Sequence, residues 1–206
     1  MTPDTGGLAA TTVGGFLSDL ASKQPVPGGG AAAGVVVATA AGLASMVVAY
    51  SIGRKALAEH AAELESIAAR LETLRTDALA AAEDDARAYA DLQSLWGLDK
   101  EDPRRVERWA AAVEAAIEAP RSIMTIAVEI LQISERLEDR SNRMLRSDLA
   151  IAAVLADAGH RSAAANVRIN LPLLDDPSRA AAEGTILAEA IDAIRARADR
   201  LELACR

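Results

Sequence analysis

The sequence predicts an all-α fold, and three observations carry that prediction. Alanine dominates a chain that is 51% apolar but only 2% aromatic. Ala loses no side-chain entropy in a helix, and the accompanying Glu and Arg are good helix formers. No run alternates polar residues with the Val, Ile, Thr and aromatics that strands favour. Pro, Gly and Asp-Pro pairs divide the chain into helix-length segments with short connections. At 206 residues the chain suits one domain, residues 1–206, with a substantial core.

The elements follow in order. An irregular Gly-rich start precedes a short helix from about Thr12 to Ser22. Pro25-Val26-Pro27-Gly28-Gly29-Gly30 ends it, because two prolines and three glycines do not sit inside a helix. The stretch from Gly28 to Gly53 carries no charge and is long enough to span a bilayer. It is mostly Ala, Gly and Val, with Thr39, Ser45 and Ser51, and has few of the large residues that drive insertion. The expected structure is a fully apolar central helix, buried on all sides and not in a membrane.

A long helix is expected from about Ala56 to Leu95, ended by Trp96-Gly97-Leu98. Asp102-Pro103 is a start signal, with Asp at the cap and Pro at the first helical position. That helix is expected to end near Ala119, and another to run from Pro120 to about Asp139. Ser147-Asp148 opens a helix reaching Asn170, and Asp176-Pro177 opens the last, toward Leu203. The sum is a compact bundle of about seven helices.

A net charge of −8 and a pI near 4.9 argue against a nucleic-acid surface, which needs clustered Lys and Arg. A small anionic ligand needs only a local basic patch. The single cysteine, Cys205, fits a reducing compartment, and Met1–Gly7 lacks the features of a signal peptide. A cytoplasmic protein is expected. His60 and His160 are not spaced as a ligand pair, and there is no Cys/His cluster, P-loop or dinucleotide fingerprint, so no metal is expected.

Chemistry then falls to carboxylates, amides, backbone or Lys. The long third helix has an apolar seam from Leu57 through Leu64, Ile67, Leu71, Leu74, Ala78 and Ala81 to Leu95, and His60 and Asp85 interrupt it. An acid on such a seam costs free energy unless paired, hydrogen-bonded or protonated. A structural ion pair or a seam drifting to the surface is the plain alternative. Glu83 and Asp84 read as solvent-facing acids, and His60 as a helix-interior histidine.

On the sixth helix, steps of about 100° put Asp148 and Asn166 on one azimuth, with Gly159, Ser162 and Asn170 within about 40° of it. Asp157, Arg161 and Arg168 lie opposite, on an expected solvent face. The small polar stripe suits a pocket wall. Helix-dipole complementation by Asp148, and interhelical bonding or capping by Asn166 and Asn170, are the plain readings. Gly28–Gly30 lead into a helix start, where backbone N–H groups can approach an anion or carbonyl. Lys23, Arg54 and Lys55 form the nearest basic cluster.

Together these motifs resemble one family. Phe16-Leu17-Ser18-Asp19-Leu20-Ala21-Ser22-Lys23 with Pro25-Val26-Pro27-Gly28-Gly29-Gly30 is similar to the opening of formiminotetrahydrofolate cyclodeaminases and methenyltetrahydrofolate cyclohydrolases. Gly53-Arg54-Lys55, Asp84-Asp85-Ala86 with Tyr89, Ser141-Asn142 with Ser147-Asp148, and Asn166-Val167-Arg168-Ile169-Asn170 resemble further family segments, in order. Ala56 and Leu57 stand where the family usually has Lys and Tyr, Ser141 replaces a glycine, and Met144 an asparagine.

The resemblance implies an enzyme of the one-carbon bridge of tetrahydrofolate, a homodimer with pockets near the subunit interface, and no metal. For that chemistry Asp85 is the expected acid/base, because its place on an apolar seam gives a route to a raised pKa, and Asp148 is expected to position the folate ring and polarise the reacting carbon. Folate contacts would come from Pro27, Gly28, Gly29, Gly30, Arg54, Lys55, Asn142, Ser162, Asn166 and Asn170. Methenyltetrahydrofolate cyclohydrolase is the leading expectation, since no formiminotransferase segment is evident. Formiminotetrahydrofolate cyclodeaminase is the alternative within the family. Ala56 and Leu57 motivate another, a folate-binding or structural helical dimer without catalysis.

Overall fold

The computed structural model describes residues 7–206, which form seven α-helices and no strand. These are α1 (Gly7–Ala10), α2 (Val13–Leu20), α3 (Gly29–Ala49), α4 (Ala61–Trp96), α5 (Pro103–Leu137), α6 (Arg146–Asn170) and α7 (Pro177–Ala204). Short 3-10 turns occupy Lys55–His60, Arg143–Leu145 and Leu171–Leu173. The all-α expectation holds, but the seven helices are differently divided. Part of the irregular start, residues 1–6, lies outside the described residues, while α1 adds a helical turn beside it.

Helix starts use the expected chemistry. Side-chain oxygens of Thr12, Asp102 and Asp176 accept backbone N–H bonds from Gly15, Arg104 and Ser178. Two boundaries move. The central helix stops at Ala49, and Gly53 takes φ +78° in the turn beyond. The segment after it is a 3-10 turn because Leu57 leaves helical geometry (φ −119°, ψ 15°). The α-helix therefore begins at Ala61, and His60 stands at its N-cap and not in the helix interior.

The expected break at Pro120 does not occur, and α5 runs unbroken through it. Proline removes the N–H that would bond the carbonyl four residues earlier, that of Ala116. The side chain of Asn170, on α6, donates its Nδ2–H to that same carbonyl at 2.8 Å. A tertiary donor thus replaces the missing helical one, and the helix continues.

Helix α3 is central and packs against α4, α5 and α6. It is long and apolar enough to cross a membrane, with mean hydropathy 2.1 over its most apolar window. Here it is a core helix, with Val37, Ala40, Ala41, Ala44, Val47 and Val48 fully buried. It is not buried on all sides, however. Val35, Val36, Leu43 and Met46 are only partly covered and Thr39 is exposed, so one uncharged face remains open. Small residues set the packing distance. A Cβ on Gly34 would strike Ala82 of α4, and one on Gly159 of α6 would strike Val37.

Candidate functional site

The contacts along α3 show its orientation. Gly30 meets Asp85 and Gly34 meets Ala82, while Gly29 meets Asn166 and Val37 meets Gly159. Both α4 and α6 therefore run antiparallel to α3. Their C-terminal halves rise past the N-terminus of α3 and leave a cavity of about 410 Å³ there. Its walls come from the Pro25–Gly28 loop, the first turn of α3, Asp85, Ala86, Tyr89 and Trp96 of α4, Ala116 of α5, and Asn166, Ile169 and Asn170 of α6.

Among the described residues that line the cavity, Asp85 is the one acid. The position a Cβ on Gly30 would occupy is filled by the Asp85 carboxylate, so a side chain at position 30 would displace that carboxylate. Among the described residues, no side-chain cation or hydrogen-bond donor is paired with this acid. Burial pushes its pKa up to about 6. A seam position thus holds a carboxylate able to exchange a proton near neutral pH. The start of α3 leaves backbone N–H groups without intrahelical acceptors beside it, as every helix start does. Asn166 places its amide oxygen 3.5 Å from where a Gly29 Cβ would stand, and Asn170 has committed its Nδ2 to Ala116.

Gly28, Gly29, Gly30, Asp85, Asn166 and Asn170 are therefore brought together. Pro27 adjoins the wall through a cis Val26–Pro27 peptide but does not itself line the cavity. The remaining expected site residues lie elsewhere in the chain's own fold. Ser162 is exposed and its hydroxyl donates to Ala158 O at 2.7 Å. Asp148 precedes Asn166 by 18 residues, which at about 1.5 Å per residue puts it roughly 27 Å away along α6.

Arg54 and Lys55 follow the C-terminus of α3, roughly 30 Å from Gly30 by the same rise, and both are exposed. Asn142 is at that far end too. Its backbone N–H donates to the buried Ser51 hydroxyl at 2.8 Å, and its side chain accepts from Met144 N at 3.2 Å. The motifs thus form two clusters at opposite ends of the α3–α6 pair.

Other acids and histidines are explained locally. Glu83 accepts the Leu8 N–H at 2.6 Å and ties α1 to α4, and Asp84 pairs with Arg87. Asp157 does not face solvent as expected. It is buried and receives both its oxygens' bonds from Arg161 Nε at 2.9 and 3.0 Å. Among the described residues no group of three or more His, Cys, Asp or Glu is placed to hold a metal ion.

Sequence reasoning missed the apolar part of the cavity: Pro25, Val26, Trp96, Ala116 and Ile169. For Trp96 a signal existed. It stands 11 residues after Asp85, which is about 20° from it around the helix.

The all-α bundle shares its fold with formiminotetrahydrofolate cyclodeaminase from Thermotoga maritima. That structure superimposes with a TM-score of 0.83 at 24% identity, over 94% of this chain and 96% of that one. The family model for formiminotransferase-cyclodeaminase matches residues 12–185. Methenyltetrahydrofolate cyclohydrolase from Methylorubrum extorquens is 35% identical over 169 residues, covering 80% of this chain and 81% of that protein. Formimidoyltransferase-cyclodeaminase from Mus musculus is 27% identical over 85% of this chain, which spans only 34% of that longer protein. The chain belongs to the formiminotransferase-cyclodeaminase family.

Proposed function

We propose that this protein is a methenyltetrahydrofolate cyclohydrolase, converting 5,10-methenyltetrahydrofolate to 10-formyltetrahydrofolate. The observation that carries the reading is the Asp85 carboxylate, unpaired against Gly30 in the cavity and titrating near neutral pH. The 35% identical cyclohydrolase supports the choice of substrate.

In this reading Asp85 takes a proton from the attacking water as its oxygen bonds the bridging methenyl carbon. The tetrahedral intermediate then collapses as Asp85 returns that proton to N5, the C–N5 bond breaks and the hydroxyl on the same carbon gives up its own proton to solvent, leaving the formyl group on N10. Asn166, Asn170 and the backbone of Gly28–Gly30 orient the folate ring. The formimidoyltransferase-cyclodeaminases among the relatives support a second reading. There N10 attacks the formimino carbon carried on N5, Asp85 shuttles the proton, and ammonia leaves.

A homodimer belongs to the same proposal. The open face of α3 adjoins a stripe of α6 made of Ile151, Val154, Ala158, Ser162 and Ala165, and neither carries a charge. A second copy related by a two-fold axis across this face would lay its own α3–α6 pair antiparallel to the first. Its Arg54, Lys55 and Asp148 would then approach the cavity beside Gly28–Gly30, completing the site from two chains. Arg54 and Lys55 would attract the folate carboxylates, and Asp148 would help hold the ring. The lone Cys205, free and buried, suits the reducing cytoplasm.

The test is direct. Purified protein is mixed with 5,10-methenyltetrahydrofolate and its absorbance followed, beside ammonia release from 5-formiminotetrahydrofolate. Loss of methenyl absorbance without ammonia release from the second substrate supports the cyclohydrolase. The converse supports the cyclodeaminase, and neither reaction, with folate still bound, leaves a non-catalytic folate binder.

A further inference from the structure

Two tryptophans stand near the α4–α5 turn, and they differ in what covers them. The Arg105 guanidinium lies 4.2 Å over the Trp109 ring, occupying that face. The same guanidinium donates to Leu98 O at 2.7 Å and reaches Trp96 O at 3.5 Å, fixing the end of α4. Among the described residues no cation lies over the Trp96 ring. It is 46% exposed and lines the cavity, with Ile169 of α6, 74% exposed, on the same cavity. Indole rings are usually well buried, because each removes a large apolar area from water.

Asp85, Tyr89 and Trp96 lie on one face of α4 and all line the cavity. Trp96 is about 16 Å beyond Asp85 along the axis, and helical side chains lean toward the N-terminus, so its indole reaches back toward Asp85. Polar partners cluster at the base of the cavity, where Gly28–Gly30, Asp85 and Asn166 meet, with Asn170 one turn above. Trp96 and Ile169 add apolar wall beyond that base.

Resting on the folate reading above, we propose that Trp96 is the specificity residue for the substrate's aryl tail, stacking on the aminobenzoyl ring at the cavity mouth. The reacting carbon lies between the substrate's two rings. With that carbon at Asp85, the bicyclic ring, edged with N–H and C=O groups, takes the polar base. The aminobenzoyl ring has no such edge and takes the apolar mouth, and the glutamate carboxylates beyond it reach solvent.

The test compares wild type, Trp96→Ala and Trp96→Phe on two substrates. One is 5,10-methenyltetrahydrofolate; the other is the methenyl tetrahydropterin with a methyl group in place of the aryl tail on the bridging nitrogen. Trp96→Ala is expected to raise KM for the full substrate about tenfold with kcat nearly unchanged. Trp96→Phe restores most of the loss, and KM for the tail-less substrate does not move. In a Trp109→Phe variant, whose remaining tryptophan is Trp96, tetrahydrofolate quenches the emission saturably and the tail-less tetrahydropterin does not.

Unchanged KM for the full substrate in Trp96→Ala overturns the proposal. An equal rise for both substrates also overturns it, since the indole would then sit on the bicyclic ring. A wild-type protein that neither turns over nor binds folate sinks the folate reading itself, and the proposal with it.

Discussion

Replacing Asn170 with Ala removes the donor that serves the Ala116 carbonyl, and Pro120 guarantees that the helix supplies none. Leaving a buried acceptor unpaired costs about 1–3 kcal/mol. Ala116 is only 5% exposed but borders the cavity, so water can reach the carbonyl in part. That favours the low end, about 1–1.5 kcal/mol for Asn170→Ala. The decisive form is a double-mutant cycle. Pro120→Ala restores an N–H four residues after Ala116, so the carbonyl no longer needs Asn170. In that background Asn170→Ala should cost about 0.5 kcal/mol or less, a coupling near 1 kcal/mol. Urea denaturation of the four proteins at one protein concentration measures it. Equal costs for Asn170→Ala in both backgrounds would refute the compensation and leave the continuity of α5 without its explanation.

Other outcomes follow from the same geometry. Gly30→Ala would place a methyl group on the Asp85 carboxylate, so the chain should fold with native helicity yet lose most turnover; circular dichroism and a rate assay check this. Asp85 has a folded pKa near 6 against 3.8, so folding favours its protonated form, and its stabilising contribution is lost as pH rises from about 4 through 6. Asp85→Asn should therefore stabilise the protein at pH 7.5 by about 2–3 kcal/mol and do little at pH 4. His160 behaves oppositely. Burial pushes its pKa down to about 4, so its contribution is present near neutral pH and lost as pH falls from 6.5 through 4, measurable as a falling Tm that His160→Gln flattens. Sedimentation should find a dimer at micromolar concentration, and Arg54→Ala with Lys55→Ala should weaken folate binding at low salt more than at high salt.

How much of this was legible in the sequence depends on the range of the interactions. The caps at Thr12, Asp102 and Asp176 were readable because a cap acts within three residues. Asp85 was readable because a charge on an apolar seam violates a local pattern. The continuity of α5 was not, because the group that rescues Pro120 arrives from a residue 50 positions later, on another helix. The stripe on α6 shows a different limit. Azimuth alone grouped Asp148 with Asn166 and Asn170, but equal azimuth says nothing of height, and the helix is long enough to put its ends at opposite ends of the bundle. The same azimuth reasoning, applied to α4, would have drawn Trp96 to Asp85, where it was read only as a helix stop. Asp157, whose charge was expected in water, is instead buried and pairs with the part-exposed Arg161, a choice set by tertiary packing.

The isosteric variant of Asp85 tests most directly whether this carboxylate moves the proton. Turnover of 5,10-methenyltetrahydrofolate, ammonia release from 5-formiminotetrahydrofolate and folate Kd are measured for wild type and Asp85→Asn from pH 5 to 9. The prediction is a wild-type rate that rises with an apparent pKa near 6, and a variant that binds folate normally but turns over at least about a hundredfold more slowly, without that pH dependence. An Asp85→Asn protein that keeps wild-type turnover on both substrates would contradict it and leave Asp85 a structural acid.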